Sequence, residues 1–238
     1  MPFLSWINDA NLKDSVGFLL SKAKEARDNA EGNFGKNVVD PFSALFEIAG
    51  FSSDFETWYK SETTRQAQKT LQNHVGDFHQ NILGAVNGWE NMKKGQVIDL
   101  VSFEKKIVAE IKNKYNTISG GKLSDLYSSL DNLVMPKASI YKNFTAYYVA
   151  IVPKYPVRYN KPFTPSNKDK GEKCAANEKV REIDGASFYT LATGDPNALE
   201  NLFDVLPDVI KICSDNKYTI TDRDKLKAFF STAFGQPI

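Results

Sequence analysis

Apolar residues recur at helical spacing through the first third of the chain. Val16, Leu19, Leu20 and Ala23 share one helix face. Leu71, Val75, Phe78 and Ile82 repeat at intervals of four, three and four, which predicts a longer helix within residues 62–85. Between the two, Asp40-Pro41 reads as an N-cap followed by proline at the first helical position, with FSALFEIA as the helix and Gly50 as its stop. The period then drops to two. QVIDLVSF (96–103) and KIVAEIK (106–112) are short and rich in Val and Ile with a charged turn between them, so they predict an antiparallel hairpin turning about Glu104 and Lys105. Leu123, Leu126, Tyr127, Leu130 and Leu133 return to helical spacing, and FTAYYVAIV (144–152) has the continuous apolar character of a buried central strand.

A polar stretch follows, KYPVRYNKPFTPSNKDKGEKCAANEK, expected to run as a long loop. REIDGASFYTLATG then reads as a strand. Asp195-Pro196 caps a helix carrying Leu199, Leu202, Phe203 and Leu206, and Thr221 with Asp224 forms a capping box for a last helix carrying Leu226, Phe229, Phe230 and Ala233. The order is helices, two strands, helix, strand, loop, strand, helices. It predicts a mixed α/β fold, a central mixed sheet flanked by helices. The 238 residues suit one domain: an N-terminal helical part (1–60), a core (61–152), the polar loop (153–182), and a strand with C-terminal helices (183–238).

Composition changes that picture in one place. The net charge is only +1, but residues 136–182 carry ten Lys or Arg against four Asp or Glu, a local +6 that leaves −5 for the remainder. A segment of that sign suits a polyanion. No secretory signal and no apolar run of membrane-spanning length is present, so a cytoplasmic protein without membrane association is expected. Cys174 and Cys213 lack CxxC or Cys/His spacing, which predicts free thiols rather than zinc ligands. His74 and His79, five apart, do not share a helix face as a metal pair would. No phosphate-binding glycine loop and no GxSxG elbow occurs.

Chemistry concentrates in VIDLVSFEKKIVAEIKNKYNTISGG. Along the second hairpin strand, Ile107, Ala109 and Ile111 point to one face, and Val108, Glu110 and Lys112 to the other. A turn about 104–105 places residue 99 opposite residue 110, so Asp99 and Glu110 come within about 5 Å at their Cβ atoms. Two carboxylates on an apolar sheet repel unless a cation joins them. Magnesium, which takes hard oxygen ligands and keeps several waters, is the expected cation; Asp99, Glu110 and the Ile111 carbonyl would ligate it and Lys112 would orient the attacking water. Lys114, Asn116 and Thr117 follow at the strand end, placed to meet a phosphate backbone. The basic segment offers Arg158, Lys161, Lys168, Lys170, Lys173 and Arg181 for phosphates or guanine, and Asp184 for cytosine N4. Tyr155 and Tyr159, interleaved with those charges, serve equally well as loop packing.

Asp99 on one strand and Glu110-x-Lys112 on the next, between helices, resembles the PD-(D/E)xK nuclease superfamily. Ile98 stands where that family usually has proline. NVVDPFSALFE, GDFHQNILG, VIDLVSFEKKIVAEIKNKYNT and REIDGASFYTLATGDPNAL, spread over residues 33–210, are similar to the type II restriction endonucleases that cut GGNCC or GGWCC sites. The resemblance implies a restriction-endonuclease-like core, Mg²⁺ as cofactor, and Asp99, Glu110 and Lys112 as the catalytic set. It also implies double-stranded DNA as substrate, a homodimer cutting both strands of a short palindrome, 5′-phosphate ends and a cognate DNA methyltransferase as genetic partner. His79 and Gln80 sit in one of these segments, although His79 borders the apolar stripe and fits a packed histidine. Two other readings stay open on the residues: a structure-specific repair nuclease of the same superfamily, and a catalytically silent DNA-binding module in which Glu110 and Lys112 form only an ion pair.

Overall fold

A computed structural model describes residues 1–51, 53–92 and 95–235. Its helical first third comprises α1 (Asp9–Asp28), the short α2 (Ala30–Asn33), a 3-10 turn (Phe34–Lys36), α3 (Pro41–Gly50) and α4 (Phe55–Gly84). The caps explain the boundaries. Asn8, Asp40 and Asp54 each accept a backbone N–H of the first turn of α1, α3 and α4 through the side chain, and Pro41 opens α3 as expected.

Next come β1 (Glu90–Asn91), β2 (Leu100–Ser102), β3 (Ile107–Lys114), α5 (Gly120–Val134) and β4 (Thr145–Val152). They are followed by β5 (Asn160–Pro162), β6 (Ser166–Asn167), β7 (Glu172–Lys173), β8 (Val180–Asp184), α6 (Gly185–Thr193), α7 (Ala198–Cys213) and α8 (Arg223–Phe234). Six strands form one mixed sheet in the order β1-β2-β3-β4-β8-β5, with β3, β4 and β8 parallel and the outer strands antiparallel. β6 and β7 pair separately as a small hairpin.

The sheet is packed on both faces, the arrangement expected for its parallel centre. Ile107, Ala109, Ile111, Val149, Ile151 and Ile183 meet α1, α4, α6 and α7 in the larger core. Val101, Val108, Ala146, Tyr148 and Val180 meet Leu130 and Val134 of α5 in the smaller one. Glycine is required at the start of α6: a Cβ on Gly185 would lie 2.4 Å from the Ile151 carbonyl oxygen, so only glycine lets α6 cross β4 this closely.

Five expectations are corrected. The first hairpin strand is only Leu100–Ser102, because the chain before it bends and Asp99 uses its side chain where a ladder bond would stand. REIDGASFYTLATG is strand only as far as Asp184; that residue caps α6 and turns the rest into helix. α7 starts at Ala198, Asp195 accepting the Asn197 N–H ahead of it, and α8 starts without the Thr221/Asp224 box: Thr221 Oγ1 contacts Asp222 instead. The polar loop contains β5, β6 and β7, three short strands whose sequence lacks the alternation that announces a strand.

Candidate active site

β2 and β3 pair Leu100 with Ala109, Val101 with Val108 and Ser102 with Ile107, the register that sets residue 99 against residue 110. The loop between them reverses with Lys106 at φ +53°, and the Lys105 N–H donates to Ser102 Oγ at 3.3 Å. Buried Ile98 belongs to the smaller core and anchors the backbone where the superfamily pattern has proline. The Asp99 N–H donates to the Ala109 carbonyl, and its own carbonyl accepts from the Met92 N–H, both at 2.8 Å. Its carboxylate then receives the Ile111 N–H at Oδ2, 2.7 Å away. Two of these bonds tie Asp99 to β3 just ahead of the start of β2, and the third ties it to Met92 after β1. N–H and C=O of a strand residue point the same way, so the Ile111 carbonyl also faces the Asp99 side.

Glu110 lies on the opposite face of β3 from Ile111, with its side chain 13% exposed, and Lys112 Nζ lies 2.5 Å from Glu110 Oε1. Its other oxygen, Oε2, is buried and has no hydrogen-bond partner among the described residues. Burial first, and then the neighbouring Asp99 charge, raise the Glu110 pKa from 4.5 to about 7 against the opposing pull of Lys112. An unpartnered carboxylate oxygen beside a second carboxylate is a defect in a bare protein and a fitting ligand set for a hard cation. Among the described residues no group of three or more His, Cys, Asp or Glu could hold a metal. The set at hand is therefore two carboxylates and a backbone carbonyl, which suits an ion that keeps waters and takes phosphate oxygens.

The cleft beside Lys112 is bordered by Lys114 and Thr117, and across from them by Gln72, Asn73, Asp77 and Gln80 of α4. Asn116 is exposed in the turn after β3. Gln72, Asn73 and Asp77 were missed in sequence, and Gln80 entered only within the segment GDFHQNILG; their signal is a polar stripe, Gln72 and Gln80 with Gly76 between them beside Asn73 and Asp77, opposite the apolar one. His79 points away from this cleft, its Nδ1 2.8 Å from the Tyr189 hydroxyl and its pKa lowered to about 4 by burial, which is the packed histidine. Glu182 was also missed. The pairings Glu110–Tyr148, Tyr148–Glu182 and Glu182–Lys161 line these residues up across β3, β4, β8 and β5. Lys161 Nζ is 3.1 Å from Glu182 and remains mostly exposed.

Three expected DNA contacts have other duties. Asp184 is 1% exposed, with Oδ1 accepting the Ser187 N–H at 2.9 Å and Oδ2 the Tyr159 N–H at 2.6 Å, so it caps α6 and offers nothing to a base. Arg158 donates to Thr190 Oγ1 and the Pro196 carbonyl. Arg181 is spent on Asn160 and Glu178. Lys168, Lys170 and Lys173 stand exposed on the β6–β7 hairpin. Cys174 and Cys213 are free thiols.

The family model described as Eco47II restriction endonuclease matches residues 4–214. The chain belongs to the Eco47II restriction endonuclease family. It is 50% identical over 240 residues to the type II restriction enzyme Eco47II of Escherichia coli, covering 99% of this chain and 100% of that one. The type II restriction enzyme Sau96I of Staphylococcus aureus is 28% identical over 204 residues, 84% of this chain and 77% of the relative. As a member of the Eco47II family the protein is a type II restriction endonuclease acting on DNA, which sets aside the repair nuclease and the silent binding module. No helix among the described residues is long and apolar enough to cross a membrane.

Proposed function

We propose that this endonuclease hydrolyses phosphodiester bonds in double-stranded DNA at a short GC-rich palindrome of the GGNCC type, with Mg²⁺ as cofactor and Asp99, Glu110 and Lys112 as its catalytic residues. The observation that carries the reading is the buried Glu110 Oε2, without a partner among the described residues, on a carboxylate that neighbours Asp99 and pairs with Lys112. Asp99, Glu110 and the Ile111 carbonyl would hold the metal. When bound, Mg²⁺ neutralises charge growing on the phosphodiester and makes water a stronger nucleophile near neutral pH.

The chain's own residues do the rest. Asp99, pinned by three hydrogen bonds, keeps its carboxylate in place without reorganisation. Lys112, held by Glu110, orients water toward phosphorus and lends positive charge to the pentacoordinate transition state. The water oxygen bonds to phosphorus, the bond from phosphorus to the 3′ oxygen breaks, and the 3′ oxygen takes up a proton, leaving a 5′-phosphate. Lys114 and Asn116 would meet backbone phosphates beside the cut, while Lys161, Lys168, Lys170 and Lys173 would hold the duplex farther out. A twofold site asks for a homodimer, and a bacterial cytoplasm containing this enzyme asks for a methyltransferase that protects the same sequence.

Digestion of a plasmid of known sequence and sequencing of the ends is the test. Fixed ends at GGNCC-type sites are expected, with loss of cutting in Asp99→Ala, Glu110→Ala and Lys112→Ala and retained DNA binding. Full cleavage by Glu110→Ala would refute the site.

A further inference from the structure

We propose that α3 and the start of α4 form the surface through which two copies of this chain associate. This names a surface for the twofold reading above and rests on it. α3 buries none of its residues. Phe42, Leu45 and Phe46 share its outer face at helical spacing and are 76%, 64% and 71% exposed. Phe51 and Phe55, on either side of the turn into α4, are 80% and 60% exposed, and Val38 stands wholly exposed before α3. Taking roughly 200 Å² for each phenylalanine and somewhat less for Leu and Val, the exposed apolar surface comes to about 700–800 Å². Summed over α3 and its flanks, that is comparable to the roughly 800 Å² that each partner contributes to a standard stable interface.

Charge selects the occupant. Residues 37–59 contain no Lys or Arg and four carboxylates, so this is not a DNA-facing surface. Three of those carboxylates are spent inside the protomer: Asp40 on the Phe42 N–H, Asp54 on the Thr57 N–H and Glu47 on the Trp58 indole at 2.9 Å. What remains outward is an aromatic face with one exposed carboxylate, Glu56, beside Phe55. A twofold interface sets one patch against its own copy, and such a face is self-complementary. An aromatic layer supports it from beneath, with Phe34 against Tyr59 at 4.3 Å and Phe55 against Trp58 at 5.8 Å between ring centroids. Stiff aromatic anchors of this kind dominate association energies. The patch also stands apart from the cleft beside Lys112. α4 runs without a break from Phe55 to Asn73, which borders that cleft, a span of about 27 Å at 1.5 Å per residue.

Sedimentation or light scattering of the full chain, without DNA or metal, reads the surface directly. The wild type should sediment at twice the 26.7 kDa chain mass at micromolar concentration. Phe42→Glu/Phe46→Glu should weaken association by at least about 100-fold and sediment as a monomer. Circular dichroism should show an unchanged helix signal, since both side chains are exposed. Should the double variant fold poorly, Leu45→Ser is expected to weaken association by about tenfold. A wild-type monomer would overturn both the surface and the twofold reading. A dimer indifferent to these folded variants would overturn the surface alone.

Discussion

Replacing Glu110 by Gln removes the charge that the sheet tolerates least. Glu110 is pushed up from 4.5 to about 7, chiefly by burial and then by Asp99. At about 1.4 kcal/mol per pH unit, keeping it ionised in the folded metal-free protein costs about 3 kcal/mol more than in the unfolded chain. The folded state binds this proton more tightly, so the associated stability is present below about pH 4.5 and is lost as pH rises through about 7. Glu110→Gln cannot lose it. Urea unfolding in EDTA at about pH 5 and about pH 8.5 should show the difference between variant and wild type moving by about 2–3 kcal/mol in the variant's favour as pH rises. In thermal midpoints this is about 2–4 °C per kcal/mol for a chain of this length. Adding Mg²⁺ at the higher pH should stabilise the wild type and leave the variant nearly unmoved, while cleavage by the variant is lost. A stability difference that is flat with pH, or that turns against the variant, would refute the account of Glu110 as a buried carboxylate awaiting a cation.

Asp184→Ala should destabilise the fold by about 2–4 kcal/mol in urea titration, since α6 loses its cap and the Tyr159 N–H its acceptor, with no change in the sequence at the cut ends. Gly185→Ala should cost at least about 2 kcal/mol and lower the thermal midpoint, because its Cβ would meet the Ile151 carbonyl oxygen. Changing Lys168, Lys170 and Lys173 together to Ala should reduce the slope of log binding constant against log salt by up to about 3, at an unaltered recognition sequence. An unchanged slope would remove the β6–β7 hairpin from the DNA interface.

The local patterns carried far. Alternation of Val and Ile with polar residues is a property of the strand itself, so the two faces of β3 and the hairpin register were legible in the sequence, and with them the meeting of Asp99, Glu110 and Lys112. Asp40-Pro41 likewise announced α3, because a cap acts within one helical turn. The apolar stripe of α4 revealed the helix, but its polar stripe came to border the cleft only because α4 packs across the end of β3.

What charge alone suggested was decided elsewhere. Arg158, Arg181 and Asp184 look like DNA contacts in a basic segment, and Asp184 became a cap because the chain turns from β8 into α6 there, bringing Tyr159 and Ser187 N–H groups to one carboxylate. Tyr159 is separated from it by 25 residues. The same distinction explains Glu110: its place on the strand follows from period two, but its raised pKa follows from the layers that cover the sheet. Periodicity is a short-range steric property that sequence alone determines; burial and hydrogen-bond partners come from distant segments, and only the tertiary structure brings those together.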